Sequence, residues 1–246
     1  MDENEEVKKL AALLLKNPAD KRDELVVKAK IQVSEKEELG QIFDNQIRDL
    51  QREQYPQPII EKLSCQRDEA VEKAYQIWKK EYPGKTIEEV REMNIIPLLL
   101  VIPRDYIGIQ FQLELMDKRC AVRQSWIANN KASEKVSWRP YAIYFVENGK
   151  GRSSKERKDV EKETSERKRR FLTVEEVIAS VRHTLCLGFY GGAEYILALD
   201  SCNQQETQNV IALSLMDDTL KSDYPYDVYK RYFDFIPSCD CDSQID

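Results

Sequence analysis

Long apolar runs are missing from this chain. The longest purely apolar stretch, Ile95 to Pro103, is far too short to cross a bilayer. Histidine is nearly missing too: His183 stands alone, so any cysteine–histidine or serine–histidine pair has to use it. Six cysteines are present, but no two form a C-x2-C pair, which leaves a zinc finger without its usual frame. No G-x-x-x-x-G-K-[ST] phosphate loop and no G-x-S-x-G nucleophile elbow occurs. No RNP pair or KH loop accompanies the basic residues. The first residues, Met1-Asp2-Glu3-Asn4-Glu5-Glu6, are acidic, the reverse of a secretory n-region. These absences lead to the expectation of a cytoplasmic protein whose cysteines are thiols rather than a disulfide framework.

Charge is plentiful and unevenly placed. The net charge is −6, yet residues 94–170 carry 17 basic and 10 acidic side chains, a net +7. Residues 171–246 carry 4 and 13, a net −9. A basic middle can contact phosphate, or it can meet the acidic end within one molecule or between two.

The order of elements predicts an α+β fold: an N-terminal helical region over 1–93, then a mixed β-sheet with packed helices over 94–246. The helical region is either a separate domain or one layer of a single domain. Glu5 to Lys16, with Val7, Leu10, Ala11, Leu13, Leu14 and Leu15 apolar, reads as a short amphipathic helix, and Asn17-Pro18 stops it. Lys21 to Ile31 reads as helix or strand, because Val26, Val27 and Ile31 are β-branched. Capping boxes at Ser34–Glu37, Thr86–Glu89 and Thr173–Glu176 predict three helix starts. One long helix is expected from Pro58 to about Tyr82. At Asn94 the pattern changes. Ile95 to Ile102 reads as a strand interrupted by Pro97, with a turn at Pro103-Arg104-Asp105. Ile107, Ile109, Phe111, Leu113 and Leu115 then alternate as a half-buried strand does. Further sheet members are expected at 141–146, 195–199 and 210–215, and helices at 118–130 and 174–187. Arg152 to Arg170, with nine basic and five acidic residues, reads as a flexible insertion or a solvated helix.

Each chemical candidate competes with a plainer reading. Arg167-Lys168-Arg169-Arg170 can hold phosphate, but Glu161, Glu163 and Glu166 dilute it. His183, Cys186, Cys202, Cys239 and Cys241 include enough ligand types for zinc at poor spacings. Cys202, Ser201 and Asp200 follow a strand where a nucleophile could meet His183. Gly188, Gly191 and Gly192 follow a helix and precede a strand, the wrong order for a phosphate cradle, and Gly149-Lys150-Gly151 lacks a helix start. Asp217, Asp218, Asp223 and Asp227 do not keep the spacing of a calcium loop.

No catalytic, cofactor-binding or metal residue is therefore assigned, and no cofactor is expected. The reading is a non-catalytic protein-interaction or regulatory module, with a protein partner or self-association, no nucleic acid and no membrane. Tyr224, Tyr226, Tyr229, Tyr232, Phe233 and Phe235 are its candidate contact residues. The alternatives are a hydrolase using His183 with Cys202, and a zinc-binding protein.

Overall fold

Residues 95–101 set the frame. The computed structural model describes residues 12, 19–116, 130–131, 139–153, 155–184, 187–191, 193, 195–203, 210–214, 220–224 and 235–240. Side chains are described at all of these except 19–24, 130–131, 201–203, 210–211, 214, 220–224 and 240. Strands β1 (Ile95–Ile96) and β2 (Leu99–Val101) lie either side of Pro97. Each pairs antiparallel with part of 141–147: β2 with β4 (Tyr141–Ile143) and β1 with β5 (Val146–Glu147). The register is the same in both halves, Leu99 opposite Ile143 and Ile96 opposite Val146, so this is one ladder broken at its middle. Pro97 has no amide proton to give the ladder, and opposite it Phe145 takes a positive φ of 51°. The break resets the side-chain alternation. Ile95, Leu98, Leu100 and Ile102 face one core, while Ile96, Leu99 and Val101 face another.

The first core lies under four helices: α1 (Ala19–Arg52), α2 (Gln57–Ser64), α3 (Arg67–Glu81) and α4 (Ile87–Glu92). Leu39, Phe43, Leu50, Leu63, Ala74 and Trp78 fill it. In α4 the Thr86–Glu89 capping box is complete: each residue's side chain accepts the other's backbone N–H, at 2.7 and 3.2 Å. Two details differ from the sequence reading. Ser34 starts nothing; it sits inside α1, because the flanking Lys, Glu, Leu and Gln residues are good helix formers and one serine costs little. The helix expected over 58–82 is two helices, divided at Cys65-Gln66.

The second core surrounds α7 (Val174–Thr184), which lies between the broken ladder and a sheet of β3 (Asn130–Lys131), β7 (Tyr195–Asn203), β8 (Val210–Ser214) and β9 (Leu220–Tyr224). Val174, Val177, Ile178 and Val181 pack there with Tyr141, Ile143, Ile196 and Leu213. Every named strand pairing is antiparallel; one isolated parallel bridge pairs Ile196 of β7 with Phe235. β10 (Ser238–Asp240) is inserted between β5 and β6 (Arg169–Phe171).

The α+β class stands, but residues 107–115 are not a strand. Ile109–Leu115 is helix α5. The period-two pattern was real but incomplete: Ile109, Gln112, Leu113 and Met116 repeat at i, i+3, i+4 and i+7, and these are the buried ones. Phe111, which the alternation assigns to the core, is 49% exposed. Buried Gln112 donates to the Ile102 and Ile107 carbonyls, both at 2.9 Å, and ties α5 to the turn before it.

The charged stretch also differs from the open loop that was one of its two readings. Arg157–Glu166 is helix α6, and its Val160 and Thr164 are buried. Val160 packs with Tyr195, Leu197 and Ile236. The helix expected over 118–130 lies outside the described residues except at its last position.

Candidate functional site

Helix α7 is buried on nearly all sides, and its polar side chains each meet a different neighbour. Glu176 closes the Thr173 capping box, accepting the Thr173 N–H at 2.9 Å. It also accepts Arg170 through both guanidinium nitrogens, at 2.6 and 2.7 Å, and the Tyr141 hydroxyl at 2.9 Å. Burial alone would raise its carboxyl; the Arg170 charge and these hydrogen bonds hold it below the usual range, as an anion. Glu175, with no exposed surface, pairs with Arg104 from the turn before α5. Ser180 bonds the Tyr190 hydroxyl at 2.8 Å. Arg182 donates to Glu53 at 2.8 Å and to the Tyr55 hydroxyl, linking α7 to the end of α1.

His183 continues this series. Its ring is fully buried, with Nδ1 3.2 Å from the Asp49 carboxylate on α1. Burial drives its pKa down to about 4, and the raising influences of Asp49 and the Leu100 backbone do not offset that. The imidazole is neutral near pH 7. Beside it opens a cavity of about 390 Å³ between α1, α4, β1 and residues 187–189, edged by Asn45, Asp49, Glu88, Arg91 and Asn94. Thr184 is the only hydroxyl on its walls among the described residues, and that hydroxyl donates back to the Ser180 carbonyl. Among the described residues no nucleophile is placed on the His183 ring.

The two cysteines with described side chains, Cys65 and Cys239, do not line this cavity. The Cys202 backbone in β7 is opposite Lys131 of β3, its side chain lies outside the described atoms, and no described side chain of β7 lines the His183 cavity. Ser201 likewise has no described side chain. The Asp200 amide is bonded to the Leu172 carbonyl at 3.3 Å. Cys239 is a fully buried thiol opposite Arg170, in the core with Leu172 and Val174, while Cys65 is an exposed thiol on α2's end. Cys186 and Cys241 lie outside the described residues. Among the described residues no three metal-ligating side chains gather.

The basic run is largely used inside the molecule. Arg167 reaches Glu147, Arg170 reaches Glu176, and Arg169 grips β10, donating to the Ser238 carbonyl at 2.8 Å and its hydroxyl at 3.0 Å. Arg152 joins it, donating to Ser238 Oγ at 2.7 Å, the Ile236 carbonyl at 3.2 Å and Glu147 at 2.9 Å. The basic middle does meet residues 171–246 within one molecule: Arg104 and Arg170 reach the carboxylates of Glu175 and Glu176, while Arg152 and Arg169 reach the Ser238 hydroxyl and the Ile236 and Ser238 carbonyls. Gly149 lies beside this clasp with φ +75°; a Cβ there would stand 1.8 Å from the Ile236 oxygen. Gly188 also takes a positive φ, 63°, with open space around it. Both glycines serve turns. Gly192, Asp217, Asp218 and Asp227 lie outside the described residues, and Asp223 has no described side chain.

Of the candidate aromatic contacts, Phe235 is in the core against Tyr190. Tyr224 has no described side chain, and Tyr226, Tyr229, Tyr232 and Phe233 lie outside the described residues. Among the described residues the exposed large apolar side chains are Met93, Phe111, Leu187 and three on α1. From Leu39 onward this helix buries a full stripe, but from Leu25 to Ser34 none of its side chains is buried. Val27 is 55% exposed, Ile31 53% and Val33 57%. A groove of about 370 Å³ runs along Val26, Ala29, Lys30, Val33, Ser34 and Glu37. Sequence reasoning treated these valines as evidence on helix against strand and did not mark them as a surface. The available signal was their position on a helix ahead of the first core-facing leucine.

Among the described residues no helix is long and apolar enough to cross a membrane. No family model, no curated protein and no solved structure matches the chain, so geometry alone carries the functional reading.

Proposed function

We propose that this protein is a non-catalytic interaction module that binds protein through the N-terminal half of α1. The observation that carries the reading is the helical stretch with Val27, Ile31 and Val33 each more than half exposed. Apolar side chains grouped on one element suit a contact surface better than a solvated one. The dispositions of the polar groups give supporting weight. His183, Arg182, Glu176 and Glu175 each serve a contact between layers, which leaves the interior organised for rigidity rather than for chemistry. The partner is another protein or a second copy, and the cytoplasm is the expected setting, where thiols such as Cys65 and Cys239 stay reduced.

Affinity capture with the full chain and with a Val27→Glu/Ile31→Glu variant tests this. The variant should keep the wild-type circular dichroism spectrum while losing the wild type's bound protein or its self-association. A variant that retains both would remove the reading.

A further inference from the structure

We infer that the exposed ridge of α1 and the cavity beside His183 are two ends of one docking groove, and that the groove takes an amphipathic helix of another protein carrying a lysine or arginine at its cavity end. The inference rests on the reading of α1 as the docking element; it adds where the contact ends and what chemistry the partner brings.

One face of α1 joins the two ends. Val27, Ile31, Ser34, Glu38, Ile42 and Asn45 follow one another three or four positions apart, so they form a straight stripe along the helix. None of them is buried. Val27 and Ile31 are more than half exposed at one end, and Ile42 and Asn45 wall the cavity of about 390 Å³ at the other. From Val27 to Asn45 the axis runs about 27 Å, the length of a helix of roughly 18 residues. A helix held in such a groove presents apolar residues at i, i+3, i+4 and i+7.

The cavity end suits a long cationic side chain. Ile95, Ile96, Leu187 and Phe189 give it apolar walls, and Leu187 stands 61% exposed. Walls of this kind take the methylene stem of lysine or arginine. The rim supplies the counter-charge. Glu88, Arg91 and Glu92 stand at i, i+3 and i+4 on α4, on the cavity side. Glu38 lies near them: burial raises its carboxyl, Arg91 lowers it and Glu88 raises it again, with a net rise. Glu38, Glu88 and Glu92 thus share the Arg91 guanidinium. Asp49 is taken by Arg52, at 3.2 Å, and by His183. Helix α7 adds the same sign, because it meets the cavity at His183 and Thr184 in its last turn, the negative end of its dipole. A partner's cation offsets this excess, and a partner's carboxylate is repelled by it.

The test displays helices of about 18 residues on phage, with one face randomised, and selects them on the full chain. Selected helices should carry apolar residues at helical spacing and lysine or arginine near one terminus. They should bind wild type about tenfold or more tighter than a Glu88→Lys/Glu92→Lys variant. On that variant the same library should return aspartate or glutamate at that terminus, a gain that an unfolded protein could not show. Benzoylphenylalanine placed beside the peptide's cation should cross-link to residues 42–49 or 187–189. A selection that returns no helix, helices without the terminal cation, or cross-links elsewhere would overturn the groove. Helices that dissociate a self-associated wild type would overturn the other-protein partner in favour of a second copy. If binding is lost in Val27→Glu/Ile31→Glu but indifferent to the rim variant, the cavity end fails and the reading of α1 stands. If binding needs the rim and is unchanged in Val27→Glu/Ile31→Glu, the single groove and the reading of α1 fail together.

Discussion

His183 and Glu176 show what single residues contribute here. The imidazole has a folded pKa of about 4 against an ordinary 6.5, so the unfolded chain takes up its proton first as pH falls. The stability tied to a neutral His183 is complete above about pH 6.5 and lost between 6.5 and 4, to a total of roughly 3 kcal/mol. Urea titrations of wild type and His183→Asn at pH 7.5 and 5 should therefore show the gap between them shrinking at the lower pH. Glu176 is a different case, an anion held by Arg170, Tyr141 and the Thr173 amide at once. Glu176→Ala leaves Arg170 buried without its carboxylate and should cost about 3–5 kcal/mol in the same titration. The Thr173–Glu176 box was legible from its spacing. Its second role was not, because Arg170 and Tyr141 reach it through the fold, and Asp49 on α1 is likewise 134 positions from His183 in sequence.

At the scale of elements, local signals were read well and pairings poorly. Thr86–Glu89 marks a helix start in both sequence and structure, and Pro97 interrupts a strand as its missing amide requires. The 107–115 segment failed because its apolar residues satisfy two periods at once, and only the burial of Gln112 and Met116 selects the helix. β10 was invisible as a strand because its surroundings, Arg152, Arg169 and Gly149, come from distant parts of the chain. Two glycines with nearly the same φ separate backbone strain from packing. Gly149→Ala meets both the left-handed backbone and the Ile236 carbonyl, and should cost about 3 kcal/mol or more. Gly84→Ala, at φ +77° with nothing within 4 Å, meets only the first and should cost about 1–2 kcal/mol. Equal losses for the two in chemical denaturation would contradict the clasp around β10.

Among the described residues two large cores lie on either side of one broken ladder, a smaller third cluster gathers around Val160 of α6, and α7 is bolted between layers by ion pairs and hydrogen bonds. Among the described residues the first half of α1 gathers three exposed large apolar side chains, Val27, Ile31 and Val33, outside the core clusters. The opposite charge excesses of residues 94–170 and 171–246 suggested a contact surface at the sequence level, but part of that charge is spent within the molecule, at Arg152 and Arg169 on β10. The most direct measurement compares the full chain with Val27→Glu/Ile31→Glu by sedimentation equilibrium, alone and with the proteins each retains in affinity capture. Exposed positions tolerate such changes within about 0.5 kcal/mol, so both proteins should unfold at nearly the same urea concentration. The account predicts a complex or self-associated species for wild type that the variant does not form. Identical masses and identical bound proteins for the two would contradict it.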